Sequence, residues 1–198
     1  MDQLIDGLKK RDESALREVM VMYKNKIYNY LRVLVGNSEL AEELTQDTFV
    51  KVYFKAHTLR TDNLNSWIYT IATNLARSEF RKNKIKYMFS LADVKEDNFS
   101  VSPTLENEII VEQLIAQLPE KYRIPVVMKE IQNFSFDEIA AILGKPVGTV
   151  KTLVFRGKKQ LRGFVESTDE NSPTNEKNKE GVGENAGSRP FAEASINR

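Results

Sequence analysis

The chain has 198 residues, 41% of them hydrophobic and 29% charged, with 29 basic side chains against 28 acidic, enough apolar material for a soluble core. It has no cysteine, which excludes disulfides, thiolate metal ligands and cysteine nucleophiles and fits a reducing cytoplasm. His57 is the only histidine, so metal and acid–base chemistry have little to draw on, and a binding protein with no metal or cofactor is expected rather than an enzyme.

The start, MDQLIDGLKK, has acidic Asp2 and Asp6 and no apolar signal core, so a secretory signal is not expected. No run approaches the roughly 18 apolar residues of a membrane span, so a cytoplasmic protein without membrane insertion is expected. Ser14 is placed to cap a first long helix. Its apolar residues Leu16, Val19, Met20, Tyr23, Ile27, Tyr30, Leu31 and Leu34 recur at steps of three and four. Gly36 suits its end, and Asn37-Ser38 suits the next start. That next helix, ELAEELTQDTFVKVYFKA, carries Leu40, Leu44, Thr48 and Val52 on one face, with Phe49 and Tyr53 beside it. Its other face shows Glu39, Glu42, Glu43, Gln46 and Asp47. A polar loop over 58–65 precedes a helix over about 66–84, anchored by Trp67, Ile68, Ile71, Leu75 and Phe80. No sustained strand alternation occurs.

Over 86–107 the pattern breaks. SLADVKEDNFSVSPTLENE mixes Ser, Asp, Asn and Pro without a period, as a flexible linker does. Helical periodicity returns with Ile109, Ile110, Leu114, Ile115 and Leu118 and continues through Tyr122, Val126, Val127 and Ile131. Residues 166–198 are rich in Asn, Glu, Gly and Ser, too poor in large apolar groups to offset ordering entropy, and are expected to be a disordered tail. The fold class is all-α: two small helical domains, 1–85 and 108–165, joined by the linker.

Between them the basic charge is unevenly placed. The tail holds seven acids against four bases, while residues 145–165 hold six cations and no acid. The cations follow a helix-turn-helix pattern. Ser135 and Glu138 have capping-box spacing before a short helix over Phe136, Ile139, Ala140 and Leu143. Gly144 suits the tight turn, Pro146 discourages continuation, and Thr149 opens a second helix with Val150, Leu153 or Val154, and Leu161 turned inward. Small Ala140 and Gly144 let the two helices cross closely. The second helix presents Lys151, Thr152, Phe155 and Arg156 to a major groove, with Lys158, Lys159 and Arg162 placed to neutralise phosphates. The plain alternative is a solvated basic helix, but capping box, turn glycine and one-signed helix coincide.

The stretch LPEKYRIPVVMKEIQNFSFDEIAAILGKPVGTVKTLVFRGKKQL resembles region 4 of extracytoplasmic-function (ECF) sigma factors of bacterial RNA polymerase. AEELTQDTFVKVY followed by NSWIYTIATNLARSEFRK resembles region 2 of the same family. The resemblance implies a sigma factor that binds core RNA polymerase and directs promoter-specific initiation. Region 2 would hold the β′ clamp helices and read the −10 element as single strand. Region 4 would read the −35 duplex near the β flap. Carried over by position, Glu42, Glu43, Gln46 and Asp47 form the core-polymerase contact. Asn63, Asn65, Asn74, Arg77, Arg81 and Lys82 form the −10 surface, with Lys84 following on the same helix. Asn74 takes a flipped base, and the loop over 58–65 takes the specificity position. Thr149, Lys151, Thr152, Phe155, Arg156, Lys158 and Lys159 form the −35 surface. An anti-sigma factor is a further expected partner.

A buried structural amide is the other reading of Asn74, since Ile71 and Leu75 flank it. Trp67 is expected to pack rather than stack on a base, and His57 to be structural or exposed. Leu153 and Gly157 stand where the family often has arginine and alanine, and Gly157 is expected to weaken its helix by roughly 1 kcal/mol relative to alanine. A one-component or response regulator would need a receiver or ligand-sensing fold before the helix-turn-helix, and residues 1–85 suggest neither. A small helical enzyme would need a titratable cluster, and the sequence offers none.

Overall fold

The structure, a computed structural model, describes residues 2–59, 63–89 and 106–170. All regular structure among them is helical: α1 Asp2–Lys9, α2 Glu13–Val35, α3 Ser38–Lys55 with a 3-10 turn at Ala56–Thr58, α4 Leu64–Phe89, α5 Glu106–Gln117, α6 Glu120–Val126 running into a π-helical stretch Val127–Ile131, α7 Phe136–Leu143 and α8 Val147–Glu170. None of the described helices is long and apolar enough to cross a membrane.

Several boundaries differ from expectation for local reasons. The cap of α2 is Asp12, whose Oδ1 accepts from the Ser14 backbone N–H at 2.9 Å, so Ser14 lies inside the first turn. Aspartate and serine are comparable caps, and sequence alone gave no way to rank them. α4 starts at Leu64 and continues to Phe89, while α5 begins at Glu106. The ends of the expected linker 86–107 are therefore helical, and its middle, 90–105, lies outside the described residues. α8 likewise continues through Val165 to Glu170. The tail expected from 166 thus begins in a helix, because no breaker occurs before Pro173; residues 171–198 lie outside the described residues. α1 was not foreseen. Buried Ile5 and Leu8 attach it to α2 and to the turn after α3.

α1 to α4 form the first module. Val19, Ile27, Tyr30, Leu31 and Leu34 of α2 meet Ala41, Leu44 and Val52 of α3 and Ile68, Ala72 and Ala76 of α4, all of them buried. Thr45 and Thr48, also buried, donate to the carbonyls of Ala41 and Leu44 at 2.6 and 2.7 Å, so neither of these two hydroxyls is left unpaired. Thr73 Oγ1 donates to Tyr69 O at 2.6 Å, which leaves it to accept from the fully buried Tyr30 hydroxyl at 2.9 Å. Burial pushes the Tyr30 phenol well above its ordinary value, with the Thr73 hydrogen bond working the other way.

The second module, α5 to α8, packs on the first and shares its core. Tyr69 of α4 stands edge-on to Tyr30 at 5.1 Å and to Phe134, between the π-helical stretch and α7, at 4.7 Å. Its hydroxyl donates to Gln132 Oε1 at 2.7 Å. Arg123 of α6 donates through Nη1 to Leu34 O at the end of α2 (2.9 Å), through Nε to Leu118 O (3.1 Å) and through Nη2 to Ala116 O, while its guanidinium lies 5.2 Å over the Phe80 ring. One cation thus caps two helix ends, where the carbonyls carry partial negative charge. The π-helical stretch follows Pro125, which has no N–H to donate. Its last bond runs from Gln132 N to Val127 O at 3.1 Å, and Asn133 then takes φ 57°. This local departure turns Gln132 and Phe134 towards α4.

Candidate nucleic-acid interface

The basic helix is positioned from the turn that precedes it. Ser135 Oγ accepts from the Glu138 N–H at 3.2 Å, and Glu138 Oε2 accepts from the Ser135 N–H at 2.8 Å, completing the capping box. The Ser135 backbone hydrogen bond, then its hydroxyl, hold the Glu138 carboxyl below its ordinary value. Gly144 ends α7 at φ 61°, with open space where a Cβ would stand. Its role is that backbone conformation, not the close helix crossing expected of it. The crossing rests instead on buried Ala140, Val150 and Val154, which also settles Val154 over Leu153 as the inward residue. α8 starts at Val147, two residues before Thr149, because Pro146 O already accepts from Val150 N at 3.1 Å.

Gly157 is where the sequence reading misjudged the helix. It is buried, and an added Cβ would stand 2.5 Å from Val126 Cγ2 and 3.2 Å from Tyr122 Cβ. The missing side chain is what lets α8 lie against α6.

Thr149, Lys151, Thr152, Phe155, Arg156, Lys158 and Lys159 are all exposed, so the structure brings the expected −35 residues onto one outward helix. They are not equivalent. Thr152 donates its hydroxyl to Gly148 O at 2.9 Å. Lys158 is paired with Glu130 at 3.1 Å. Lys151 Nζ lies 5.8 Å over the Phe136 ring, which also receives Lys129 Nζ at 4.9 Å. Arg156 and Lys159 form no ion pair among the described residues. A cleft of about 570 Å³ runs between Phe136, Phe155, Lys151, Lys159 and Arg162, a mix of cations and ring faces suited to a polyanion. Phe155 is 70% exposed. Lys129, Phe136 and Glu130 were missed because tertiary packing, not periodicity, brings them to α8.

On α3, Glu42, Glu43, Gln46 and Asp47 are all exposed. Val50 and Phe54, 53% and 56% exposed, continue that face by steps of three and four. The acidic patch therefore has an apolar edge that the sequence reading left out.

On α4, Asn74 is exposed, so the buried structural amide is excluded. It lines a cleft of about 420 Å³ with Arg77, Arg81 and Glu120. Arg77 Nε lies 3.9 Å from Glu120 Oε1. Glu120 comes from α6, and only the docking of the modules brings it there. Lys82 is paired with Glu79 at 2.9 Å. Its ammonium pKa is raised by that hydrogen bond and charge, and to a lesser extent by Glu43 and Asp47 on α3. Asn63 accepts from Ser66 N at 3.0 Å, so its side chain caps α4, and Asn65 is half-buried in the first turn. Residues 60–62 of the expected specificity loop lie outside the described residues. Trp67 packs against the core, and His57 is exposed.

Comparison with known proteins gives the arrangement a family. Residues 19–85 match Sigma-70 region 2, and residues 108–161 match Sigma-70, region 4. The chain is similar to the ECF RNA polymerase sigma factor SigW of Bacillus subtilis (strain 168), at 37% identity over 175 residues, covering 80% of this chain and 92% of that protein. It is also similar to the ECF RNA polymerase sigma-E factor of Escherichia coli (strain K12), at 28% identity over 178 residues, covering 82% and 93%. Among solved structures the fold resembles the sigma factor RpoE in complex with the anti-sigma factor NepR from Bartonella quintana, at 23% identity, TM-score 0.66, with 76% of this chain and 96% of that one covered. It also resembles CnrH in complex with the cytosolic domain of CnrY, at 17% identity, TM-score 0.64, with 83% and 96% covered. Two helical modules matching the two sigma regions in order, together with that identity to SigW, settle the family: the chain belongs to the ECF sigma factors of RNA polymerase, which direct promoter-specific initiation of transcription.

Proposed function

We propose that this sigma factor divides its work among three exposed surfaces. The acidic face of α3, with Glu42, Glu43, Gln46 and Asp47 and its apolar edge at Val50 and Phe54, docks on the β′ clamp helices of core polymerase. The cleft at Asn74, Arg77 and Arg81 receives the separated −10 strand, the amide pairing with a flipped base and the guanidiniums tracking phosphates. α8 lies in the major groove of the −35 duplex, with Lys151 and Arg156 at base edges and Lys159 on the backbone. An apolar groove of about 440 Å³ over Val111, Leu114, Ile115, Ile131, Leu161 and Val165 is available to the β flap. Residues 1–85 and 108–165 act as the polymerase–−10 and −35 domains, and the chain works in the cytoplasm.

The observation that carries this reading is the opposed polarity of two exposed helix faces. The α3 face at Glu42, Glu43 and Asp47 carries acids and no base, whereas α8 from Lys151 to Arg162 carries cations and no acid, so one suits a basic protein helix and the other a polyanion. The similar fold of RpoE from Bartonella quintana, solved in complex with the anti-sigma factor NepR, supports a partner of that kind for this chain as well. Transcription in vitro with purified core polymerase and a promoter library tests the reading. Enrichment of transcripts sharing −10 and −35 elements is the expected result, and transcription no different from core polymerase alone would overturn it.

A further inference from the structure

The two DNA surfaces are not equally open. Lys151, Phe155 and Arg156 face outward on α8, whereas the cleft on α4 is shared with the other module through Glu120. Glu120 is the first residue of α6, which Arg123 ties to the end of α2 through Leu34 O. The junction is closed further by Tyr69 on Gln132 and Phe134, and by the Arg32–Glu112 ion pair at 2.6 Å. Side chains of Arg77 and Glu120 are 27% and 41% exposed, so their pair contributes little stability of its own. The packed aromatic and arginine contacts hold the modules together. Glu120 matters for where that packing puts it: a carboxylate oxygen 3.9 Å from Arg77 Nε, in the cleft that Arg81 also lines, where a DNA phosphate would bind.

We propose that Glu120 is an internal competitor for single-stranded DNA. In the closed arrangement its carboxylate occupies a phosphate position in the Asn74–Arg77–Arg81 cleft. The free chain therefore accepts duplex DNA on α8 but resists an unpaired strand on α4 until the modules separate. This inference rests on the proposed −10 role of that cleft.

The test uses the full chain, fluorescently labelled oligo(dT) as the single-strand probe and a random-sequence duplex as the second probe. Stacking and phosphate contacts tolerate any base, so oligo(dT) reports on the cleft. Glu120→Gln should raise affinity for oligo(dT) by up to about fivefold, the upper end for one exposed ion pair, and leave duplex affinity unchanged. An unchanged oligo(dT) affinity overturns the proposal. Arg77→Ala, made in both backgrounds, separates the two possible failures. If Arg77→Ala does not weaken oligo(dT) binding, the −10 assignment of the cleft is wrong. If it does while Glu120→Gln is silent, only the competition is wrong.

The absence of native cysteine permits a second arm. Arg32→Cys with Glu112→Cys, joined by a reductant-cleavable bis-maleimide, should lose oligo(dT) binding, keep duplex binding, and recover the former on reduction. Failure of the linker to join the pair, or unaltered single-strand binding once joined, also overturns the proposal.

Discussion

At the scale of single residues, Gly157 and Asn74 show how burial reverses or sharpens a sequence argument. A helical glycine normally costs about 1 kcal/mol against alanine, so Gly157→Ala would be stabilising if only the backbone counted. The nearest atoms to the new methyl are Val126 Cγ2 and Tyr122 Cβ, at 2.5 and 3.2 Å. Valine is stiff at χ1, and a Cβ cannot move without its backbone. Overpacking of that kind costs about 1–3 kcal/mol. We expect Gly157→Ala to lower stability in denaturant melts by about 1 kcal/mol or more and to weaken duplex binding by shifting α8; a stabilised variant would show that α6 yields easily. Asn74 goes the other way. Because it is exposed and lines the cleft, Asn74→Ala should leave the melting temperature nearly unchanged while reducing open-complex formation. Loss of stability with normal promoter opening would remove its assigned role.

The elements show which parts of the site are written locally. Within α8, Arg156→Ala and Lys151→Ala should each cost about 1–3 kcal/mol on the preferred −35 sequence and blur one base preference each. Lys159→Ala should weaken all duplexes alike and reduce the salt slope by about 1. Lys158→Ala should do less than Lys159→Ala, since Glu130 already neutralises Lys158 at 3.1 Å. Equal losses for Lys158→Ala and Lys159→Ala would count against that pairing. The element before the turn gives a pH test. Glu138 titrates below its ordinary value of 4.5 because it is hydrogen-bonded to Ser135. A depressed carboxyl contributes stability above the unfolded value and loses it as pH falls through the folded one. Ser135→Ala should therefore cost about 1 kcal/mol near neutral pH, and the difference from the parent should shrink as melts are taken below the ordinary Glu138 value. The capping box, the αL glycine and the cationic stripe of α8 were legible because each depends on residues within one or two turns. The need for Gly157 and the Glu130–Lys158 pair were not. Both arise where one helix meets another, and periodicity carries no information about that meeting.

For the whole molecule, electrostatics links surfaces that serve different partners. Lys82, on the helix that carries the proposed −10 cleft, has its pKa raised by Glu79 first and by Glu43 and Asp47 on α3 after it. We expect the field of the acidic face to extend towards the proposed DNA cleft on the same helix and to oppose an approaching phosphate backbone there. Core polymerase, by covering that face with a basic partner, would remove the opposition as it docks. Reversing both charges, Glu43→Lys with Asp47→Lys, separates the two effects. Both positions are exposed and outside the core, so the fold should survive, as the helical circular dichroism signal would report. Binding to core polymerase should fall, measured by pull-down, while oligo(dT) binding by the free chain should rise and become more salt-dependent. The two affinities moving in opposite directions is the signature of an acidic face that attracts the enzyme and screens the DNA cleft. A damaged fold would lower both. Unchanged core binding would show that the polymerase docks elsewhere, and unchanged oligo(dT) binding would confine the acidic field to the docking face.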